Sequence, residues 1–238
     1  MSAEAAAVNN NNQNIHLDDS RSDLEAKFNN ASHYQQQQPI PIYAAPTIAN
    51  PGPLGLSSFA LTTFVLSLHN AGAGVPADGP NNVVVGLGIF YGGLIQLLAG
   101  MWEFRTGNTF GATAFSSYGG FWLSFASIFI PGFNILGSYP ETAVLKQSLG
   151  IYLLSWAIFT GIMLIASHRS SVGLVSMFFC LFITFVLLSA AEFNHSLTTQ
   201  VAGGAFGVVT AVIAWYNALS GLLTKDSSFF LLPTGRLN

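Results

Sequence analysis

Charged side chains divide the chain into six long uncharged stretches: no Asp, Glu, Lys or Arg occurs in 28–77, 79–102, 106–140, 147–168, 170–191 or 193–224. Crossing the hydrocarbon layer of a membrane takes about 20 mainly apolar residues, so each stretch holds one span and resists division into two. The expected helices cover 54–70, 83–102, 111–130, 148–167, 172–191 and 201–223. Asn50-Pro51-Gly52-Pro53 introduces the first, Ala71-Gly72-Ala73-Gly74 closes it, and Pro131-Gly132 ends the third. The pattern predicts an all-α integral membrane protein of six transmembrane helices over residues 46–224, followed by a short tail, 225–238. Residues 1–45 are of another kind, with the run Asn9 to Asn14, a charged patch from Asp18 to Lys27 and the run Gln35 to Gln38. Too little apolar surface is present there to offset the entropy of ordering, which predicts a disordered tail.

Composition sharpens this picture. Of the 238 residues 51% are hydrophobic and 7% charged, against about 25% charged in a soluble globular domain. A net charge of −3 speaks against nucleic acid as a partner. Cys180 is the single cysteine, and the five histidines are scattered without metal-ligand spacing, so no disulfide, metal site or catalytic constellation is expected, and no cofactor. The first apolar run begins too late for a cleaved secretory signal. Lys and Arg mark the cytosolic side. With the amino terminus inside, that side takes Arg21, Lys27, Arg105, Arg169, Lys225 and Arg236, and the other side only Lys146. Both termini are therefore expected in the cytosol, and the sequon at Asn194 falls on the outer side.

Polar groups within spans are the first places to look for function, because they are costly in lipid unless paired or facing water. The first span carries Thr62, Thr63, Ser67, His69 and Asn70, the second Tyr91 and Gln96, the third Thr113, Ser116, Ser117 and Tyr118. Hydroxyls in helices often bond the backbone one turn earlier, whereas Gln96 either bonds across helices or faces a pathway. Gly88, Gly92 and Gly100, with Gln96 between them, are spaced by multiples of four, as are Gly203, Gly207 and Ala211. Each set is expected to form one small-residue face, for packing within a subunit or between subunits. Pro53 suits a first helical position, and the free N–H groups after it make a weak anion site.

The segment Asn50 to Leu56 resembles the signature of the acetate uptake transporter family, which includes fungal acetate and ammonia permeases and the bacterial succinate-acetate permease. Gly88-Ile89-Phe90-Tyr91-Gly92-Gly93, Gly107-Asn108-Thr109-Phe110-Gly111, Thr113-Ala114-Phe115 and Ser117-Tyr118-Gly119 fit it in the same order. Gly52 departs from the Ala usual there. The resemblance implies a six-helix subunit in a ring-shaped oligomer, a homohexamer, in the plasma membrane, with a pathway through each subunit. It also implies a hydrophobic constriction at Phe59, Tyr118 and Leu181, and substrate contacts at Asn50, Leu54, Thr62, Gln96 and Ala214.

The function so implied is that of a channel or proton-coupled transporter for acetate and related small monocarboxylates, not an enzyme. A carboxylic acid with a pKa of about 4 is almost wholly an anion near neutral pH, and drying that anion at an apolar ring costs several kcal/mol or more. Glu103, Glu141 and Glu192 sit at the edges of expected spans, and no other carboxylate or Lys is buried mid-span to relay a proton. The expected route is therefore anion capture at the mouths, with the proton crossing on or beside the substrate. Ammonia or ammonium transport is one alternative. A membrane acetate sensor signalling through the amino-terminal tail is another.

Overall fold

The computed structural model describes residues 20–31 and 48–237. Two compact units separate at Thr47. In the first, residues 20–31 form a helix, α1, exposed along its length. Arg21 Nε lies 3.6 Å from Glu25 Oε1 one turn on, a pairing of solvated side chains that stabilises a helix only slightly.

The second unit is helical throughout: α2 (Gly52–Asn70), α3 (Val83–Ile89), a π-helical turn (Phe90–Ile95), α4 (Gln96–Thr106), α5 (Thr109–Phe129), α6 (Thr142–Ser167), α7 (Val172–Asn194) and α8 (Leu197–Leu222). Two 3₁₀ turns, Pro131–Phe133 and Leu136–Ser138, link α5 to α6. The starts follow from local chemistry. Asn108 Oδ1 accepts from Gly111 N at 3.0 Å to cap α5, Ser171 Oγ from Leu174 N to cap α7, and Ser196 Oγ from Thr199 N to cap α8, each satisfying an N–H that the helix cannot. The α2 helix starts at Gly52, so Pro53 stands at its second position and not, as expected, its first. The carboxyl-terminal segment folds back on α7, where Gly235 O accepts from Val172 N at 2.8 Å and Thr234 O from Gly173 N at 3.1 Å.

By length and composition four helices are fit to cross a membrane: Val83–Thr106 taken as one, α6, α7 and α8. The α5 helix makes a fifth when joined to Pro131–Ser138 across a 79° bend. The protein is thus an all-helical, multi-pass membrane protein with four to five candidate spans. Charge spacing predicts a sixth at α2, whose hydroxyls, His69 and Asn70 dilute its apolar character. That helix hides its polar groups inside the bundle: Ser58, Thr62, Thr63 and Ser67 are all buried, and Ser58 and Thr62 donate to the backbone oxygens of Gly55 and Ser58 at 3.0 and 2.9 Å.

Outward, the logic of a soluble protein is reversed. On α6 the residues Ile151, Leu154, Ile158, Ile162 and Ile165 are exposed and recur at helical spacing, an apolar stripe suited to lipid. Trp102 is exposed near the end of α4, while Trp156 packs on the core. Cys180 is partly covered.

The small-residue faces differ from expectation at one point. Gly88 abuts Ala126 and Trp122, Gly93 abuts Leu123, and Gly100 abuts Ser116, all on α5, whereas Gly92 abuts Thr62 on α2. Gly92 therefore does not share a neighbour with Gly88 and Gly100. The π-helical turn is the cause. Each α-helical residue advances about 100°, so Gly88 and Gly100 would fall about 120° apart, and the extra residue of an i→i+5 turn brings them back to one neighbour. Gly203 and Gly207 both meet α7, at Leu188 and Thr184, but Gly207 lies closer to Ser67 on α2, and Gly204 meets the backbone of Asn70 and Ala71.

A Cβ added at Gly100 would come within 2.6 Å of the Ser116 backbone nitrogen, whereas one at Gly120 meets nothing within 4 Å. Gly100→Ala is expected to cost about 1–3 kcal/mol through overpacking, and Gly120→Ala to gain up to about 1 kcal/mol from helix propensity. Thermal unfolding of the two purified variants checks the contrast.

Candidate functional site

An elongated cavity of about 230 Å³ runs between α2, α5, α6 and α7. This is below the roughly 300–1,000 Å³ of pockets for drug-sized ligands and suits a smaller solute. Phe121, Trp122, Phe125 and Phe129 from α5 form one wall, with Leu149, Tyr152 and Leu153 from α6 and Leu181, Phe185 and Leu188 from α7 opposite. The α5 aromatics recur at spacings of one, three and four, so helical geometry stacks them on one face. Phe121 meets Phe185 edge-on at 5.3 Å and Trp156 at 5.1 Å.

The cavity is polar at one end only. Asn70, Asn81, Glu192 and Gln200 form the rim, while Thr63, Ser67 and Thr184 place hydroxyls along the wall. Thr184 Oγ1 donates to Cys180 O at 2.8 Å. Thr63 Oγ1 and Trp122 Nε1 are buried and have no partner in the protein. Buried donors of this kind normally find water or a ligand, and both belong to residues of the cavity wall. At the other end the lining stops at Phe59, Phe121 and Leu181.

There the three residues of the expected constriction come together. Phe59, Tyr118 and Leu181 are each no more than 4% exposed and belong to one packed cluster, which also contains Ala214. Phe59 and Leu181 line the cavity floor. Tyr118 lies beneath, its ring 5.9 Å from that of Phe59 and within 6.3 Å of those of Trp156, Phe159 and Phe178. Its hydroxyl lies 2.8 Å from Thr160 Oγ1. Because Thr160 Oγ1 itself donates to Trp156 O at 2.7 Å, the tyrosine is the donor in that pair.

The other predicted residues are dispersed. Thr62 is fully buried against Gly92. Gln96, immediately after the π-helical turn, is buried with Oε1 unpartnered. Asn50 and Leu54 are exposed at the start of α2, where Asn50 Oδ1 accepts from Gly52 N at 3.0 Å. Since Gly55 N is bonded to Pro51 O and Pro53 has no N–H, Leu54 carries the free N–H of that turn.

Sequence reasoning placed Glu103 at a span edge, and it lies in the last turn of α4; what that reasoning missed is that the side chain is buried. Its Oε2 accepts from Asn108 Nδ2 at 2.8 Å and Thr106 Oγ1 at 3.1 Å, and its other oxygen lies beside Gly52. A carboxylate thus sits against the starts of α2 and α5, where partial positive charge from the helix ends favours it. The signal was the run Glu103 to Asn108, a carboxylate followed closely by a Thr and the Asn that caps the next helix.

The GPR1/FUN34/yaaH family model matches residues 33–238. The chain belongs to this family. It is 48% identical over 196 residues to acetate permease A of Emericella nidulans, covering 78% of this chain and 65% of that protein. It is 49% identical over 196 residues to ammonia transport outward protein 2 of Saccharomyces cerevisiae, covering 82% of this chain and 67% of the relative. The chain thus spans about two thirds of the length of these fungal relatives. Among solved structures, that of the bacterial acetate channel SatP superposes with a TM-score of 0.70 at 36% identity, covering 79% of this chain and 100% of that one. This GPR1/FUN34/yaaH member is therefore a membrane protein of the acetate permease and channel family, and not an enzyme.

Two hydroxyls separate fold from cavity. Thr160→Val strands the buried Tyr118 hydroxyl and is expected to cost about 1–3 kcal/mol. Thr63→Val removes a hydroxyl that bonds nothing in the protein and is expected to change stability by less than about 0.5 kcal/mol. Denaturation midpoints of both variants against wild type give the comparison.

Proposed function

We propose that this family member carries acetate and similar small monocarboxylates across the plasma membrane, through the cavity and past the ring of Phe59, Tyr118 and Leu181. The observation that carries the reading is the cavity itself: aromatic walls, a polar rim at one end and an apolar floor at the other. Thr63 and Ser67 supply hydroxyl donors for a small carboxyl group on the way, whereas the Thr184 proton is already given to Cys180 O. At the floor nothing charged is available. Drying an anion there costs several kcal/mol or more, and a neutral acid escapes most of that cost. Glu103 and Glu192 stand at opposite ends of the unit, one at the start of α2 and one at the rim. The proton therefore crosses on the substrate or close beside it.

In this reading α2 is the sixth span, held in the middle of the bundle, and the unit has both termini on the cytosolic side. That orientation rests on the distribution of Lys and Arg. The rim then faces outward, and Asn50, Leu54 and Glu103 line the cytosolic mouth. A ring of subunits, a homohexamer on the family resemblance, would cover part of the apolar surface that the single chain exposes.

Ammonium is the second reading, and a specific feature favours it. The aromatic wall with Glu192 at the rim offers a cation more than the sequence suggested, since ring faces attract cations. Lys146 beside that rim opposes it.

Phe59 tests the pathway. In a fully packed core Phe→Ala costs about 3–5 kcal/mol; here a cavity already adjoins the ring, and the cost is expected to be lower. Phe59→Ala should reach the membrane and raise the ratio of lactate to acetate uptake, because acetate already passes while the larger acid is held back. The ratio is measured at equal surface expression. An unchanged ratio, or a protein that never reaches the membrane, assigns Phe59 to packing alone.

A further inference from the structure

A second cavity of about 170 Å³ adjoins the first and shares Glu192 and Gln200 with it. Its character differs, because Asp78, Lys146, Glu192 and His195 all line it. They come from separate elements: Asp78 from the α2–α3 loop, Lys146 from α6, Glu192 from α7 and His195 from the left-handed turn that ends α7, at φ 52°. Two bonds fix the arrangement. Gln200 Nε2 on α8 donates to Ala77 O at 2.6 Å and holds the loop next to Asp78. Gln147 Nε2 donates to Phe193 O at 3.2 Å and ties α6 to α7 on either side of Lys146 and Glu192.

Lys146 is the unusual member. It is the only Lys or Arg between Arg105 and Arg169, on the side of the membrane where positive residues are disfavoured. Among the described residues the only ion pair closer than 4.0 Å joins Arg21 and Glu25. The Lys146 ammonium is therefore not engaged by either carboxylate of the pocket, although it and His195 lie close enough to act on the charge of Glu192. It is half-buried, in a polar recess that opens onto the rim of the main cavity.

We propose that this pocket is the docking site at which a small carboxylate anion is captured before it enters the main cavity, with Lys146 as its counter-charge. The inference rests on the transport reading and on its orientation. His195 adds a second positive charge when protonated. Asp78 and Glu192 outnumber Lys146 by one charge while His195 is neutral and are balanced when His195 is protonated, so the captured anion is bound weakly enough to move on. The site thereby serves the step that the dry cavity cannot, which is to draw an anion out of water.

The test uses the full-length protein in intact cells, with initial rates of labelled acetate uptake measured over a range of concentrations at matched surface expression. Lys146→Gln should raise KM about three- to fivefold, the scale of a partly exposed charge pair, and leave the maximal rate unchanged. Lys146→Arg should restore the wild-type KM. Raised ionic strength should shrink the difference, because salt screens exposed charges, and the KM for ammonium should not rise. An unchanged KM in Lys146→Gln, a rise that persists at high salt, or a failure of Arg to relieve it overturns the capture role. The wild-type arm reads the underlying function separately: no acetate uptake there refutes the transport reading itself.

Discussion

A helix rich in hydroxyls cannot face lipid, and the rest of this structure is arranged around keeping α2 away from it. Ser58 and Thr62 bond back to their own backbone, which meets the first half of the requirement for those two. The second half is close enclosure by neighbours, and glycine makes that possible. Gly92 admits Thr62, Gly207 admits Ser67, Gly204 admits the backbone of Ala71, and Gly55 lies under the ring of Phe115. In lipid no hydrophobic force drives helices together, so such close packing is what holds the bundle. The π-helical turn follows from the same need. It turns Gly92 toward α2 while Gly88, Gly93 and Gly100 stay on α5.

Enclosure of α2 also creates the cavity. One face of the helix, with Phe59, Thr63, Leu66, Ser67 and Asn70, is not filled by its neighbours and lines the empty space. Polarity along that face is graded, from Asn70 at the rim through Ser67 and Thr63 to Phe59 at the floor. The α7 wall is mainly apolar below Glu192, with Leu188, Phe185 and Leu181 and the single hydroxyl of Thr184. On the proposed transport reading, a solute entering from the rim would lose its water before it met an apolar ring, and only a neutral form would pass that ring cheaply.

Four spans, and a fifth where α5 is joined to Pro131–Ser138, were legible in the sequence because charge is expensive in lipid. That Phe59, Tyr118 and Leu181 share one packed cluster was legible only through family resemblance: nothing in their spacing joins them, and the cluster depends on how three helices pack. The π-helical turn left no mark in a reading that assumed 3.6 residues per turn, so Gly92 was assigned to the wrong neighbour. The aromatic wall was readable and passed over, since Phe121, Trp122, Phe125 and Phe129 already stand at helical spacing. The burial of Glu103 was missed for a physical reason. A carboxylate reads as a boundary, yet the Asn108 amide, the Thr106 hydroxyl and the starts of two helices allow it to be buried.

The central claim is that what crosses the floor of the cavity is the acid with its proton. Labelled acetate flux into liposomes holding the purified protein tests it directly, with internal and external pH equal, total acetate fixed and protein-free liposomes subtracted. Above a pKa of about 4 the neutral fraction grows about tenfold for each unit by which pH falls. The account predicts a protein-dependent initial rate that climbs steeply with that fraction. A rate independent of pH would show the free anion passing Phe59, Tyr118 and Leu181, and would contradict it.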